Sequence, residues 1–430
     1  MSELEERLKK IKQASVNCGN FPTSLKNKAL EAVAVALEKN FADIKKANQQ
    51  DLEEAEKCNL AQPLLKRLKF DEDKLHDVVS GIRGLIKLDD PVNQKLSAML
   101  LDDGLTLIKV SVAIGVIGVI FESRPDALVQ IAALCIKSGN CAVLKGGSEA
   151  LHSNRKLFEV IKNAVSEVDA GFADTLALIE TREDVSELLQ YNKYINLIIP
   201  RGSNAFVQYI QKNSLIPVLG HADGICHLYI DKYADVNKAK KVVVDAKTQY
   251  VSVCNATETL LVHKDIAEKV LPELFAELEA RKVKLHCCER CTKYSVNAVV
   301  ATDEDWATEY LDYELSVKVV DSIEDAVSHI NTYGSGHTDG IITEDAECRK
   351  YFEAYVDTSS VVVNCSTRFA DGFRYGMGAE VGVSTNKYHA RGPVGLEGLI
   401  IYKYILEGDG HIVADYVGTN AKPYQHRKLS

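Results

Sequence analysis

Apolar residues follow two spacings along this chain, and the change comes near residue 90. In "SLKNKALEAVAVALEKNFADIKKAN", Leu30, Val33, Leu37, Phe41 and Ile44 recur at steps of three and four, which makes one apolar helix face. Residues 1 to about 90 read as helices, and "DDP" at 89–91 ends that region. The next apolar stretch, "GLTLIKVSVAIGVIGVIFE", reads as two strands broken near Gly115. Strand and helix patterns then alternate. "CAVLKGGS" is a strand and turn before the helix "EALHSNRKLFEVIKNAVSEV", and "YINLIIPRGS" is another before "NAFVQYIQKN". Such alternation implies the α/β class, with parallel strands covered by helices on both faces. No internal repeat stands out, and the polar tail after Asp409 is expected to fray.

Length changes this picture by dividing it. A chain of 430 residues is too long for one hydrophobic core, so two or three domains are expected. Hydrophobic residues at 46% and charged residues at 26% are ordinary for a globular protein. The formal charge of -10 argues against a nucleic-acid partner. The longest apolar run, "VAIGVIGVIF", is about half of the ~20 residues a membrane helix needs, so no membrane partner is expected. The N-terminus is charged from the start and lacks an apolar signal core, which points to the cytoplasm. Eleven cysteines, an odd number, fit reduced thiols better than a disulfide framework. Cys288 and Cys291 in "HCCERC" have a zinc-like spacing without an evident second ligand pair, so an ordinary strand end and loop is the favoured reading.

Two turns carry candidate chemistry. Lys145, Gly146, Gly147 and Ser148 open one helix; Arg201, Gly202, Ser203 and Asn204 open another. Glycine lets backbone N–H groups approach a phosphate, a helix N-terminus favours negative charge, and each turn has a cation beside it. Neither matches the dinucleotide fingerprint or a P-loop. A turn without a ligand stays open for each alone, but two in one parallel sheet favour a nucleotide cofactor.

Cys254 in "YVSVCNATETLLVH" is the other candidate. Free cysteines are mostly buried and inert. Here Ser252, Asn255, Thr257 and Glu258 make the surroundings polar, and Asn255 offers a hydrogen bond to an oxyanion. On residue chemistry alone, core packing and nucleophile both stand.

The segment "VCNATETLLVH" resembles the γ-glutamyl phosphate reductase family of the aldehyde dehydrogenase superfamily. The resemblance extends through "GVIFESRPDALVQIAALCIKSGNCAVLKGGSEA", "IPRGSNAFV", "PVLGHADGICHLYID", "INTYGSGHTDGIITED", "STRFADGFRYGMGAEVGVST" and "HARGPVGLEGLIIYKYILEGDG", nearly the whole chain. It departs at Tyr250 and Val251, commonly Arg-Pro in that family, and at Cys365, where alanine is usual. The resemblance implies an aldehyde dehydrogenase-like α/β fold in three parts. A Rossmann-type cofactor domain takes residues 1–100 and 114–228, and an α/β catalytic domain takes 229–391. A small β oligomerisation element and tail take 101–113 and 392–430. "GLIIYKYIL" agrees, because it reads as an exposed edge strand that needs a partner.

The resemblance also implies a reaction. Cys254 attacks L-glutamyl 5-phosphate, phosphate leaves, and NADPH reduces the thioester to L-glutamate 5-semialdehyde, a step of proline biosynthesis. Cys254, Asn255 and Ser123 are the catalytic candidates, the last two as oxyanion donors. Lys145, Gly146, Ser148, Arg201, Gly202, Ser203 and Glu314 are assigned to the cofactor. Arg124, Arg368 and Arg374 are assigned to the substrate's anions, with a structural salt bridge open for each. No metal is assigned. A homo-oligomer is implied, with glutamate 5-kinase a candidate partner. Val218, in "VLGH", stands where hydrolytic relatives carry a water-activating glutamate. The thioester is therefore expected to survive, Val218→Glu is expected to hydrolyse it, and nearby His221 is the alternative base. Two other classes remain: a dehydrogenase for free aldehydes, separable by phosphate independence, and a non-catalytic scaffold, separable by absent turnover.

Overall fold

The structure, a computed structural model, describes residues 2–60, 62–221, 223–377, 379–387 and 389–429. Five helices come first: Glu3–Cys18, Thr23–Lys39, Phe41–Lys57, Gln62–Leu68 and Glu72–Lys87. The single apolar stripe over 30–44 is therefore carried by two helices. Asn40 divides them: its side-chain amide donates to the Ala36 carbonyl at 2.8 Å, while its own carbonyl accepts from Asp43 and Ile44. Asparagine breaks helices by this kind of local competition. Leu30, Val33, Leu37 and Ile44 are still buried, so the stripe reported burial correctly across the break. Asp90 closes the region by pairing with the buried Lys26 at 2.8 Å.

Strands β1 (Lys95–Asp102) and β2 (Leu105–Ala113) form an antiparallel pair. The chain bends at Gly115, whose φ of +121° places it where a Cβ would sit 2.5 Å from Asn196 Oδ1. It then enters a parallel sheet of β3 (Val116–Phe121), β4 (Cys141–Lys145), β5 (Leu176–Ile179) and β6 (Leu197–Arg201), in the order β5-β4-β3-β6. Every residue of β3 is buried, as expected for a strand covered on both faces. Helices Pro125–Lys137 and Leu151–Val168 cover one face; Glu3–Cys18 and Asn204–Asn213 cover the other.

A second parallel sheet holds β7 (Cys226–Ile230), β8 (Thr257–His263), β9 (Lys284–Cys287), β10 (Val299–Val300), β11 (Glu314–Val320), β12 (Thr338–Ile342) and β13 (Ser360–Val363). Their order is β10-β9-β11-β8-β7-β12-β13. After the hairpin β14 (Gly382–Ser384) and β15 (Gly392–Val394), the strands β16 (Ile400–Glu407) and β17 (Arg427–Leu429) return to the first pair. That antiparallel sheet runs β16-β2-β1-β17. The tail thus docks instead of fraying. β17 pairs with β1, the Gln425 N–H donates to the Leu101 carbonyl at 2.8 Å, and Tyr416 donates to Asp102 at 2.8 Å. The unpaired edge of β1 supplied backbone partners that tail polarity could not reveal. Among the described residues, no helix is long and apolar enough to cross a membrane.

Candidate active site

Cys254 sits in a tight turn just before β8, closed by the Ala256 N–H donating to the Val253 carbonyl at 3.1 Å. The turn is fastened from a segment far along the chain. Thr367 Oγ1 donates to the Asn255 carbonyl at 2.7 Å, and Asn255 Nδ2 donates to the Ala370 carbonyl at 2.9 Å. Gly224, just ahead of β7, packs against the cysteine itself; a Cβ there would collide with the Cys254 backbone and side chain. Cys226 Sγ donates to the Cys254 carbonyl at 3.1 Å. The site therefore gathers at the N-terminal ends of β7, β8 and β12, with Cys254 half-buried.

Two histidines meet the sulfur. His221 comes from the loop before β7, and His337 from the turn that opens β12. One ring nitrogen of each and Cys254 Sγ lie within 4.8 Å of one another, and the two rings meet edge to face at 4.7 Å. Buried His337 Nε2 has no hydrogen-bond partner, and His221 Nδ1 lies 2.9 Å from the Val383 carbonyl. Burial alone would raise the Cys254 pKa, but the imidazolium charges of His337 and His221 outweigh it and hold the thiol well below its usual value. Burial opposes the charged form of His221 too, yet the neighbouring thiolate and its hydrogen bond push that pKa up to about 9. The arrangement is a cysteine held between two histidines that favour its thiolate, a prepared nucleophile. Val218 lies in the apolar cluster on one face of the first sheet. That side chain packs with Ile198, Ile210 and Ile216, so a carboxylate placed there would be buried among apolar groups.

The two glycine turns stand at the C-terminal ends of β4 and β6, on either side of β3. The chain order reverses between β3 and β6, the position where open parallel sheets form ligand crevices. The turns are not equivalent. At the first, buried Asp51 already accepts the His152 and Ser153 N–H groups at 3.0 and 2.7 Å, so its own carboxylate stoppers helix Leu151–Val168. At the second, the Ser203 side chain does not cap helix Asn204–Asn213 and Gly202 and Ser203 are exposed, although Glu122 accepts the Ser203 N–H at 2.8 Å. With Lys145 at the end of β4 and Arg201 at the end of β6, the donor set fits the phosphates of a nucleotide cofactor.

The other assigned residues divide. Arg368, buried, donates to Gln249 at 3.0 Å and lies close enough to respond to the Cys254 charge. Exposed Arg374 pairs with Asp371 at 3.6 Å. Ser123, at φ +42°, gives both its N–H and its hydroxyl to Glu149, at 2.7 and 2.5 Å, which ties it to the turn and not to an oxyanion. The Asn255 amide is already donated to Ala370. Glu314 opens β11 paired with His286 and Lys284 at 2.7 and 3.0 Å. The carboxylate that responds to Cys254 and His221 is Glu309, which accepts from Asn204 Nδ2 at 2.8 Å. Nothing in the local sequence pattern separates Glu309 from Glu314, the glutamate assigned to the cofactor. His337 and Arg67 were also missed. Arg67 donates to the Ser252 carbonyl at 3.2 Å, beside the Cys254 turn. "GSGHTDG" offered one signal for His337, a glycine turn presenting a histidine; Arg67 offered none. Among the described residues, the His/Cys/Asp/Glu group spaced for a metal is this His221, Cys254 and His337 set, not "HCCERC".

The family model that matches is the aldehyde dehydrogenase family, over residues 20–300. The γ-glutamyl phosphate reductase of Pelotomaculum thermopropionicum is 58% identical over 100% of this chain and 98% of its own length. That of Acetivibrio thermocellus is 57% identical over 99% and 98%. The crystal structure of γ-glutamyl phosphate reductase from Thermotoga maritima superposes with a TM-score of 0.93 at 38% identity, covering 96% of this chain and 100% of that one.

Proposed function

Since this chain belongs to the aldehyde dehydrogenase family, and within it to the γ-glutamyl phosphate reductases, we propose that it works through a thioester on Cys254. Its reaction reduces L-glutamyl 5-phosphate to L-glutamate 5-semialdehyde with release of phosphate, a step of proline biosynthesis. The observation that carries the proposal is the Cys254 sulfur between His221 and His337.

The thiolate adds to the acyl carbon and forms a tetrahedral oxyanion. The Cys254 backbone N–H and the His221 ring are assigned to that oxygen as donors. Collapse breaks the carbon–oxygen bond and expels phosphate, with buried Arg368 beside it to balance charge. A nicotinamide cofactor, when bound, supplies hydride to the thioester carbon. Lys145, Arg201 and the N-terminus of helix Asn204–Asn213 would hold the cofactor's phosphates, and we assign NADPH as the form used. The second collapse returns the electron pair to Cys254 as thiolate beside His221 and His337. The exposed strand β16 is proposed as the edge through which a homo-oligomer forms.

Phosphate-dependent oxidation of L-glutamate 5-semialdehyde, followed at the nicotinamide absorbance, tests the reading. Wild-type protein is expected to turn over only with phosphate present, and Cys254→Ser to lose turnover while still binding NADPH. Appreciable activity in that variant would sink the thioester.

A further inference from the structure

We propose that Arg67 and Arg124 form the pocket for the α-carboxylate of the substrate, the end away from the reacting carbon. This rests on the reading of the site as an acyl phosphate reductase. Arg67 lies in the last turn of helix Gln62–Leu68 and reaches the Ser252 carbonyl at 3.2 Å, so it lies against the nucleophile's own loop. Its Nε is buried without a hydrogen-bond partner. Arg124 comes from the other sheet, just past β3 at the head of helix Pro125–Lys137, and lies within electrostatic reach of Arg67, Arg201 and Tyr250.

Arg124 thus has two further guanidiniums within electrostatic reach, and their countercharge is incomplete. Arg201 has Glu380 at 3.7 Å. Among the described residues neither Arg67 nor Arg124 has an ion-pair partner, and the carboxylate acting on Arg124, Asp126, is shared with Lys74 at 3.4 Å. Burial first, then the repulsion of Arg201 and Arg67, lowers the Arg124 pKa from its ordinary value. An anion placed between the forks would relieve that repulsion and satisfy the open Nε, and a planar carboxylate matches guanidinium geometry in two parallel bonds.

The substrate carries two anionic groups, and geometry separates them. Its phosphate is bonded to the carbon that Cys254 attacks, so it must lie beside the sulfur. The cation that responds to the sulfur's charge is Arg368, whereas Arg124 responds to Arg201, Asp126, Arg67 and Tyr250. Three carbons separate the α-carboxylate from the reacting carbon, and that end of the substrate falls to the cluster. Arg67 and Arg124 then select a chain of glutamyl length bearing a terminal carboxylate.

The reverse reaction presents the two anions as separate substrates, so one assay distinguishes them. Arg67→Gln and Arg124→Gln should each raise the KM for L-glutamate 5-semialdehyde by about tenfold or more and leave the KM for phosphate within about twofold, as loss of a charged hydrogen bond implies. Arg67→Lys should recover part of the loss; it and Arg124→Gln carry the test if Arg67→Gln does not fold. A raised phosphate KM beside an unchanged semialdehyde KM would assign the cluster to phosphate. A fall in kcat with both KM values unchanged would make Arg67 only a support for the Cys254 loop. Either result overturns the proposal. Wild-type protein without phosphate-dependent turnover would overturn the underlying reading instead.

Discussion

A single residue, Cys254, shows how a site sets reactivity. Burial pushes its thiol up, and His337 and His221 pull it down further than burial pushes. The two limbs of its pH dependence follow with opposite signs. Lowering the pH through the depressed thiol pKa adds a proton and removes the nucleophile. Raising it through about 9 removes the proton from His221 and with it a stabilising charge. Alkylation of Cys254 by iodoacetamide should therefore stay near its plateau at neutral pH and fall only in the acid range. In His221→Ala or His337→Ala the inflection should move toward the ordinary thiol value of about 8.5. An inflection that stays put in both variants would remove the histidines from the activation. Acylation changes His221 as well: the thioester bears no charge, so burial then favours the neutral ring.

Among elements, the link between helix Val236–Thr248 and strand β8 holds the Cys254 loop at both ends. Lys247 Nζ lies 2.6 Å from Glu258 Oε2, and both side chains are fully buried. A buried pair adds little over an apolar one of equal shape, but half a pair is expensive. Lys247→Met should cost about 3–5 kcal/mol in denaturant unfolding, and Lys247→Met/Glu258→Leu should regain much of it. Additive losses would mean that the pair is not coupled. The sequence marked Glu258 only as a polar neighbour of Cys254. It could not assign the partner, because Lys247 looks like any exposed lysine on an amphipathic helix. The break at Asn40 was missed for a related reason. The apolar stripe continues across it, and only the local hydrogen bonds interrupt the helix.

For the whole molecule, β16 is the outer strand of its sheet, with Ile401, Tyr402, Tyr404, Ile405 and Leu406 exposed. A long apolar edge of this kind is a liability for an isolated chain, and pairing with another copy resolves it. Tyr404→Pro removes a backbone donor from the edge strand, and Ile405→Lys places charge on it. Both should shift light-scattering mass toward the monomer, with a smaller effect on the fold than on assembly. Unchanged mass in both would place the interface elsewhere.

By itself, the sequence determined the class of the fold and the strands ending in the two glycine turns, and it singled out Cys254 as a candidate. Periodicity and turn residues record which way a local segment faces and where it must bend, and those forces act over a few residues. Tertiary structure alone decided what surrounds the sulfur. His221 and His337 enter from loops before β7 and β12, Glu309 from the loop ahead of β11, and Arg67 from a helix near the N-terminus. They converge because strand order brings β7, β8 and β12 side by side and sets their ends against the first sheet. No local spacing encodes that order, so a histidine or arginine in this chain reads alike whether it faces solvent or the nucleophile. The same limit explains Asp51: by local sequence it is one more polar residue of a helix, and only packing turns it into the stopper of another helix's N-terminus.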